Sequence, residues 1–154
     1  MIADAVRAEL EARGFDVRLR GRGEQIETDV AIVCFWCFKS TLDPINLRLV
    51  QGTAGRRILA LGTFGGYPDS PYAGRVTRLV TEAIGERNTC LGVFLSQGKV
   101  SLENVEARKR LPPEDPHHLD EAGIARVMES QRHPNQRDVD RAVAFLRDHL
   151  GLLG

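Results

Sequence analysis

The sequence predicts an α/β domain in which helices flank both faces of an open, mainly parallel β-sheet. Three continuously apolar runs, residues 30–36, 58–63 and 89–95, have the length and composition of strands that are buried on both sides. The segments between them exceed the dozen residues that a parallel crossover needs, and they carry helical patterns. No repeat, low-complexity tract or linker divides the 154 residues, so we expect residues 1–154 to form a single domain.

Composition narrows the range of partners. The chain carries 21 basic and 21 acidic residues and has no formal net charge. This balance argues against long-range attraction to nucleic acid or to an anionic membrane surface. No run approaches the ~20 apolar residues of a membrane span, and the amphipathic, acid-containing start does not resemble a signal peptide. We therefore expect a cytoplasmic protein that binds neither nucleic acid nor membrane.

The first part of the chain predicts one helix and two strands. Residues 2–13 have an apolar stripe at helical spacing, and Gly14 ends the pattern. Residues 15–19 alternate between apolar and polar types, which is typical of a short strand. The apolar run 30–36 follows, and residues 38–41 then read as a polar loop.

The middle of the chain predicts a strand that breaks into a glycine-rich loop. Asp43-Pro44 is expected to open a short helix that closes near Gly52. Strand 58–63 then leads into the glycine loop, and residues 71–84 place apolar residues on one helical face. The third apolar run ends in a second polar turn, residues 96–99.

The last part of the chain predicts three helices. Residues 101–111 read as a helix capped by its first serine, and the prolines in residues 112–118 predict a loop. Residues 119–131 form a weaker helical pattern. Asn135, with Asp138 three positions later, resembles a capping box for the last helix.

The three cysteines read as reduced thiols. An odd count inside apolar runs argues against a disulfide framework. Cys34 and Cys37 have the Cys-x-x-Cys spacing, but residues three apart on a strand point to opposite faces. We therefore favour a packing role over redox use. No metal site is expected, because His117 and His118 lack a second cysteine pair nearby.

Aromatic and glycine residues collect where the predicted strands end. Four of the nine aromatic residues stand at such ends: Trp36, Phe38, Phe64 and Tyr67. Because parallel strands end at the same edge of a sheet, these rings suit a flat heterocycle such as FMN. Gly65 and Gly66 let backbone N–H groups approach a ligand. Lys39 and Lys99 offer positive charge for a phosphate or a reduced, anionic ring.

The same residues also have structural interpretations. The aromatic side chains can cap the edge of the core, and the residues alone favour neither reading. Pro68 and Asp69 suit a turn, and Ser70 suits the cap of the next helix. A nucleophilic serine is not expected, because Ser70 lacks the Gly-x-Ser-x-Gly elbow of serine hydrolases. His133 is read as a packing or hydrogen-bonding residue at a helix junction.

Four stretches of the sequence together resemble one family. They are Phe35-Trp36 with Lys39, Gly62-Thr63-Phe64-Gly65-Gly66-Tyr67-Pro68-Asp69-Ser70, Gly92-Val93-Phe94-Leu95-Ser96-Gln97-Gly98-Lys99, and His133-Pro134-Asn135 with Asp138. In this order they resemble the flavodoxin-like family, and in particular the subgroup of which some members are linked to bilirubin reduction. The likeness covers about residues 2–150. It implies a five-stranded flavodoxin-type sheet, FMN bound at the strand ends, and one- or two-electron transfer.

Positions that match the family imply a set of cofactor-binding residues. They are Trp36, Cys37, Phe38, Lys39, Ser40, Thr41, Thr63, Phe64, Gly65, Gly66, Tyr67, Asp69, Gln97 and Lys99. The first six match the loop on one side of the ring, and the next six match the loop on the other side. Gln97 and Lys99 are expected near the edge of the ring or of the substrate. No residue is assigned a catalytic role.

One departure from the family pattern is large. Flavodoxin-like proteins begin with a strand and a Thr-Gly-Asn-Thr type loop that holds the FMN phosphate at a helix N-terminus, whereas Met1 already stands at the start of that helix. Either the start codon is placed too late or the chain is shortened. Losing two charge-assisted hydrogen bonds of ~1.5–3 kcal/mol each would weaken FMN binding by about two orders of magnitude. The missing strand would lie between residues 15–19 and 30–36, and unpaired strand edges there would favour a homodimer or aggregation.

Three functional hypotheses remain. The first is an FMN-binding electron carrier or reductase component that serves a redox partner protein or a small acceptor such as a tetrapyrrole. The second is a non-enzymatic module of the same fold that binds a partner through its aromatic face, with weak or no FMN binding. A response-regulator-like domain is the least favoured, because the strand ends lack an acidic cluster. A flavin titration separates the first two.

Overall fold

The computed structural model describes residues 1–103, 105–115 and 117–154. Helices within these residues are α1 (Ile2–Ala12), α2 (Pro44–Gly52), α3 (Pro71–Gly85), α4 (Val105–Lys109), α5 (Glu121–Ser130), α6 (Gln136–His149) and a short 3₁₀ helix (Leu150–Leu152). Strands are β1 (Val30–Phe38), β2 (Thr41–Leu42), β3 (Arg57–Phe64) and β4 (Thr89–Gln97). The three apolar runs therefore form the three long strands, as predicted. Within the described ranges, every helix is too short or too polar to cross a membrane.

The described strands form one sheet in the order β2-β1-β3-β4. β1, β3 and β4 are parallel, while β2 returns antiparallel to the end of β1 as a hairpin. Trp36 pairs with Thr63, which in turn pairs with Ser96, so the three long strands end together. The predicted open, mainly parallel sheet is confirmed, and its carboxyl edge gathers the loops that the sequence singled out.

Two apolar layers cover the sheet, one on each face. The first contains the buried stripe of α3, which the sequence predicted: Ala73, Val76, Val80 and Ile84. The second lies under α1 and α6 and contains Val6, Leu10 and Leu146. Alternate residues of β3 serve the two layers, since Ala60 belongs to the first and Leu61 to the second. Burial of both strand faces explains why β3 reads as a continuous apolar run.

Three helix starts predicted from the sequence are confirmed by side-chain hydrogen bonds. Asp43 caps α2 by accepting from two backbone N–H groups of the first turn, and Ser70 caps α3 by accepting from the N–H of Ala73. Asn135 and Asp138 form the predicted reciprocal capping box at α6. These starts depend on residues within one turn of each other, so the sequence alone reveals them.

The predicted strand over residues 15–19 is wrong. The segment has no regular structure, although Phe15 and Val17 pack against the layer under α1 and α6. A strand needs a neighbour for its backbone groups, and no described strand pairs with these residues. Among the described residues, the outer edge of β1 is paired only at Cys37 and Phe38, where β2 binds. The alternation of apolar and polar residues over 15–19 therefore reflects two partly buried side chains, Phe15 and Val17, and not a strand.

The predicted loop over residues 38–41 is a β-hairpin. β1 continues to Phe38, β2 begins at Thr41, and only Lys39 and Ser40 lie between them. Both turn residues have positive φ angles, 48° and 67°, which is the signature of a type I′ turn. A left-handed conformation costs on the order of 1–2 kcal/mol for a residue that is not glycine, so tertiary contacts have to hold this turn in place.

The helix predicted over residues 101–111 is shorter than expected. α4 covers Val105–Lys109, and Asn104 lies outside the described residues. Ser101 accepts a hydrogen bond from the N–H of Glu103, so it forms a local turn before the helix. The described residues of 112–118 contain no helix or strand, as predicted, and Pro116 lies outside them.

Glu9 connects α1 to α6 through Arg147, and its ionisation makes the stability of the fold depend on pH. Its carboxylate accepts hydrogen bonds from Arg147, at 2.8 and 3.0 Å, and from Arg13 at 2.6 Å. These contacts, with Arg147 the stronger, lower the pKa of Glu9 from 4.5 to about 2. A lowered pKa means that the unfolded chain takes up the proton first as the pH falls. The stabilisation is therefore complete above pH 4.5 and is lost as the pH falls towards 2.

We expect Glu9→Gln to be less stable than the original chain at pH 7 and to approach it in stability between pH 4.5 and pH 2. Urea unfolding at a series of pH values measures this difference. Glu11→Gln is the control, because Glu11 is an exposed residue of the same helix and no described residue forms an ion pair with it. A constant difference between Glu9→Gln and the original chain across this pH range would contradict the assignment.

Candidate functional site

The carboxyl edge of the sheet brings two loops together. One is the hairpin formed by β1, β2 and their turn, and the other is the glycine loop, residues 65–70, which follows β3. Trp36 and Thr63 are directly paired across β1 and β3, and Tyr67 lies four residues beyond Thr63. The expectation that Trp36 and Tyr67 lie at the same end of the molecule is confirmed.

One face of the hairpin presents two exposed aromatic rings. Trp36 is 45% exposed and Phe38 is 38% exposed, and their ring centroids lie 5.5 Å apart in an edge-to-face arrangement. Nζ of Lys39 lies 5.5 Å from the centroid of Phe38. Thr41 pairs with Phe38 and so shares its face. Its hydroxyl Oγ1 is buried and has no hydrogen-bond partner among the described residues. The aromatic face (Trp36, Phe38 and Thr41) thus combines flat apolar rings with one unused polar atom.

The two cysteines of β1 point to opposite sides, as predicted. Cys37 packs against the layer under α3, whereas Cys34 is an exposed residue on the other side. Desolvation of its sulfur by neighbouring atoms still raises the pKa of the Cys34 thiol, and the charge of Asp4 adds to the effect. Burial likewise raises the pKa of the Cys37 thiol. Raised pKa values disfavour the reactive thiolate in both residues. The predicted packing role holds for Cys37, whereas Cys34 is exposed.

The glycines of the second loop are required by the chain's own packing. A methyl group added at Gly65 would lie 2.7 Å from Cγ2 of Val100, and one added at Gly66 would lie 2.7 Å from Cε2 of Phe64. Phe64 itself is only 4% exposed and belongs to the core. The structural interpretation is therefore the right one for the Phe64 ring, which is not available as a stacking platform.

The rest of the glycine loop is exposed and ends in the cap of α3. The Tyr67 side chain is 41% exposed, and Asp69 is exposed without an ion pair to any described residue. Ser70 Oγ donates to the carbonyl of Tyr67 at 2.6 Å and accepts from the N–H of Ala73 at 3.2 Å. The predicted capping role of Ser70 is confirmed, and its hydroxyl is committed to that role.

The turn after β4 closes over β3 instead of opening towards the hairpin. Gly98 donates its N–H to the carbonyl of Phe64 at 2.8 Å and lies against the Thr63 side chain. Gln97 is buried, and its amide reaches the carbonyl of Arg126 in α5 at 3.4 Å. Lys99 is exposed. Of the pair expected at the edge of the ring, Lys99 alone faces solvent.

Tyr72 is a residue of this region that the sequence analysis missed. Its hydroxyl lies 3.2 Å from Oγ of Ser40 in the hairpin turn. Its ring packs against Phe64 with centroids 6.0 Å apart. An aromatic residue in the first turn of a helix that follows a glycine loop was the available signal, but its partner is 32 residues away in the sequence.

His133 occupies the helix junction that the sequence predicted for it. Its Nδ1 lies 2.6 Å from Oδ2 of Asp138, and the same oxygen accepts the N–H of Asn135 at 2.8 Å. Nε2 of His133 lies 3.4 Å from a carboxylate oxygen of Glu129. The side chain therefore ties α5 to the start of α6, in agreement with its structural reading.

Comparisons with known proteins agree with this geometry. The family described as flavodoxin domain matches residues 1–147, a span that includes all of the hairpin and the glycine loop. The flavodoxin-like domain-containing protein BilS of Clostridioides difficile (strain CD3) is 23% identical over 124 residues. The aligned part covers 78% of this chain and 69% of that relative.

Proposed function

The chain belongs to the flavodoxin domain family, and on that premise we propose that it binds FMN between the hairpin and the glycine loop and acts in electron transfer, as a carrier or a reductase component. The observation that carries the proposal is the aromatic face of the hairpin. Two partly exposed rings and a buried hydroxyl with no hydrogen-bond partner in the described part of the chain occupy one surface at the carboxyl edge of a parallel sheet. Ligands of open α/β sheets bind at this edge.

The described residues offer contacts that fit the ring of FMN. The buried Thr41 hydroxyl needs a polar partner, and a ring carbonyl or nitrogen would supply one. The exposed rings of Trp36 and Tyr67 offer flat surfaces on either side. The proposal rests on these contacts to the ring.

The bound flavin would supply the capacity to take up and release one or two electrons. In this proposal Trp36 and Tyr67 would hold the ring, and the Thr41 hydroxyl would orient it by one hydrogen bond. Lys39 and Lys99 bring positive charge that favours a reduced, anionic ring. Gln97 has no part in the proposal because its amide faces α5. We propose a redox partner protein or a flat acceptor such as a tetrapyrrole as the electron acceptor.

The proposal predicts that the chain quenches FMN fluorescence on titration and that Trp36→Ala raises the dissociation constant by roughly tenfold or more. Loss of the largest exposed ring removes a stacking contact worth ~0.5–1.5 kcal/mol together with its apolar burial, and about 1.4 kcal/mol corresponds to tenfold. Parallel titration with riboflavin, which carries the same ring without the phosphate, measures how much the phosphate contributes.

Leu152→Ala is the matched control for this titration. Leu152 is also an exposed apolar residue, but its carbonyl accepts a hydrogen bond from Arg57 at the first residue of β3, at the opposite end of the sheet. Its substitution should leave the flavin affinity unchanged. The proposed site would be wrong if the chain bound neither FMN nor riboflavin. It would also be wrong if Trp36→Ala and Leu152→Ala lost the same amount of flavin affinity.

A partner-binding module without flavin is the second candidate. It is favoured by the packing of Phe64, Gly65 and Gly66, because these residues meet the chain's own side chains. Trp36, Phe38 and Tyr67 then remain as an exposed aromatic surface of the kind found at protein interfaces. This function predicts a specific protein complex that Trp36→Ala weakens, with no flavin uptake by the chain.

A further inference from the structure

The hairpin turn requires an external support. Lys39 and Ser40 both adopt positive φ angles, although neither is glycine. Between β1 and β2 the hairpin is paired only at Cys37 with Leu42 and at Phe38 with Thr41. Two residue pairs form a very short ladder, and an isolated hairpin is marginally stable in water. Because the aromatic face belongs to the same hairpin, contacts that stabilise the turn also fix the position of that face.

Tyr72 supplies contacts to this turn from the other wall of the site. Its hydroxyl lies 3.2 Å from Oγ of Ser40, within hydrogen-bond distance. Ser40 is one of the two residues of the turn, so Tyr72 contacts the hairpin at the turn itself.

Tyr72 is itself held on the glycine-loop side. Its ring packs on the buried ring of Phe64, at the end of β3. A methyl group at Gly66 would lie 3.3 Å from Cδ1 of Tyr72, so the loop backbone passes close to the ring. Ser70 caps the helix turn that carries Tyr72. The tyrosine is thus anchored to the glycine loop and reaches across to the hairpin.

We propose that Tyr72 is the positioning residue of this site. Its hydrogen bond to Ser40, called the lock below, connects the hairpin turn to the first turn of α3. This connection sets the distance between the aromatic face and the glycine loop. The inference rests on the proposed function only where flavin is concerned. The lock itself is a property of the protein without ligand. Tyr72 is not assigned a contact with the flavin.

A double-mutant cycle of Tyr72→Phe and Ser40→Ala tests the lock. The first readout is acrylamide quenching of Trp36, the only tryptophan of the chain, in the protein without flavin. Each single variant should increase the quenching rate, and the double variant should add little more, because both remove the same hydrogen bond. The second readout is FMN affinity, which each single variant should lower roughly three- to tenfold without additivity in the double.

Thr81→Ala is the control, since the Thr81 hydroxyl donates to Thr77 within α3 and should affect neither readout. Circular dichroism confirms that each variant is folded. Unchanged Trp36 quenching in Tyr72→Phe, or fully additive effects in the double variant, would overturn the lock. Failure of the original chain to bind flavin would instead overturn the proposed function, while the quenching cycle would still decide the lock.

Discussion

Replacing Gly62 by alanine is expected to lower the free energy of unfolding by about 2–3 kcal/mol, because it overfills a closely packed core. A methyl group at Gly62 would lie 2.3 Å from Cζ of Phe35 and within 2.8 Å of two further ring atoms. Phe35 pairs with Gly62 across β1 and β3, and its ring is buried in the layer under α3. The ring cannot stay where it is once the methyl group is present.

The effect of Gly62→Ala should extend to the candidate site. Phe35 directly precedes Trp36, so a shift of β1 that relieves the clash also moves the aromatic face. We therefore expect weaker flavin binding together with lower stability. Chemical unfolding measures the first effect, and flavin titration at a temperature where the variant is folded measures the second.

Gly85→Ala is the matched control for this experiment. Gly85 is the last residue of α3, and a methyl group there would meet nothing within 4 Å. The same substitution should therefore be neutral or raise the free energy of unfolding by up to ~1 kcal/mol, as alanine usually does in a helix. If both variants unfolded at the same urea concentration, the proposed contact between Phe35 and Gly62 would be wrong.

Asp43→Ala should lower the free energy of unfolding by about 2–4 kcal/mol, more than the loss of an ordinary helix cap, because the carboxylate and the Asn46 side chain that donates to it are both buried. The fully buried Asp43 side chain accepts hydrogen bonds from the N–H of Ile45 at 3.1 Å and from the side-chain amide of Asn46 at 2.7 Å. Arg22 donates to it at 3.2 Å. Asn46 also donates to the carbonyl of Cys34, so the cap supports the edge of β1.

Asp120→Ala provides the comparison for Asp43→Ala. Asp120 caps α5 through the N–H of Gly123 at 2.7 Å, but it is exposed. Loss of that cap should cost only about 1 kcal/mol, because water can replace the carboxylate. Equal losses in the two variants, measured by urea unfolding, would show that burial of the Asp43 cap contributes nothing.

The charge state of Asp43 gives this prediction a pH dependence. Burial alone would raise the pKa of the carboxyl, but hydrogen bonds from Asn46, Arg22 and the backbone outweigh it and hold the pKa below the ordinary value of 3.8. The ionised form therefore stabilises the fold above pH 3.8, and this contribution is lost as the pH falls further. The difference in free energy of unfolding between the original chain and Asp43→Ala should therefore become smaller as the pH falls below 3.8.

Local signals account for what the sequence predicted correctly. Asp43, Ser70 and the pair Asn135 and Asp138 cap helices through bonds that span two or three residues. The three apolar runs became parallel strands, and β3 is buried on both faces, as its continuous apolar composition predicted. β1 was expected to be buried in the same way, but Trp36 and Phe38 leave one of its faces exposed. Each of these features depends on neighbours in the sequence, so reading the chain in order was sufficient.

Long-range contacts account for the predictions that were wrong or missing. Residues 15–19 alternate like a strand, yet no described strand pairs with them. Phe64 stands at a strand end like Trp36, but its ring points into the core and the ring of Trp36 does not. The role of Tyr72 depends on Ser40, which lies 32 positions earlier. Neighbouring residues in the sequence do not indicate any of these three outcomes, because each depends on residues far away in the chain.

By itself, the sequence determined the parallel sheet, the helices that flank it and the edge at which their loops meet, since periodicity and capping act over a few residues. The tertiary structure alone decided which aromatic rings at that edge remain exposed and which contacts hold the hairpin turn. The physical reason is that exposure and support depend on what packs against a residue from distant parts of the chain. Trp36 and Phe64 occupy similar positions in the sequence, and only their neighbours in the fold distinguish them.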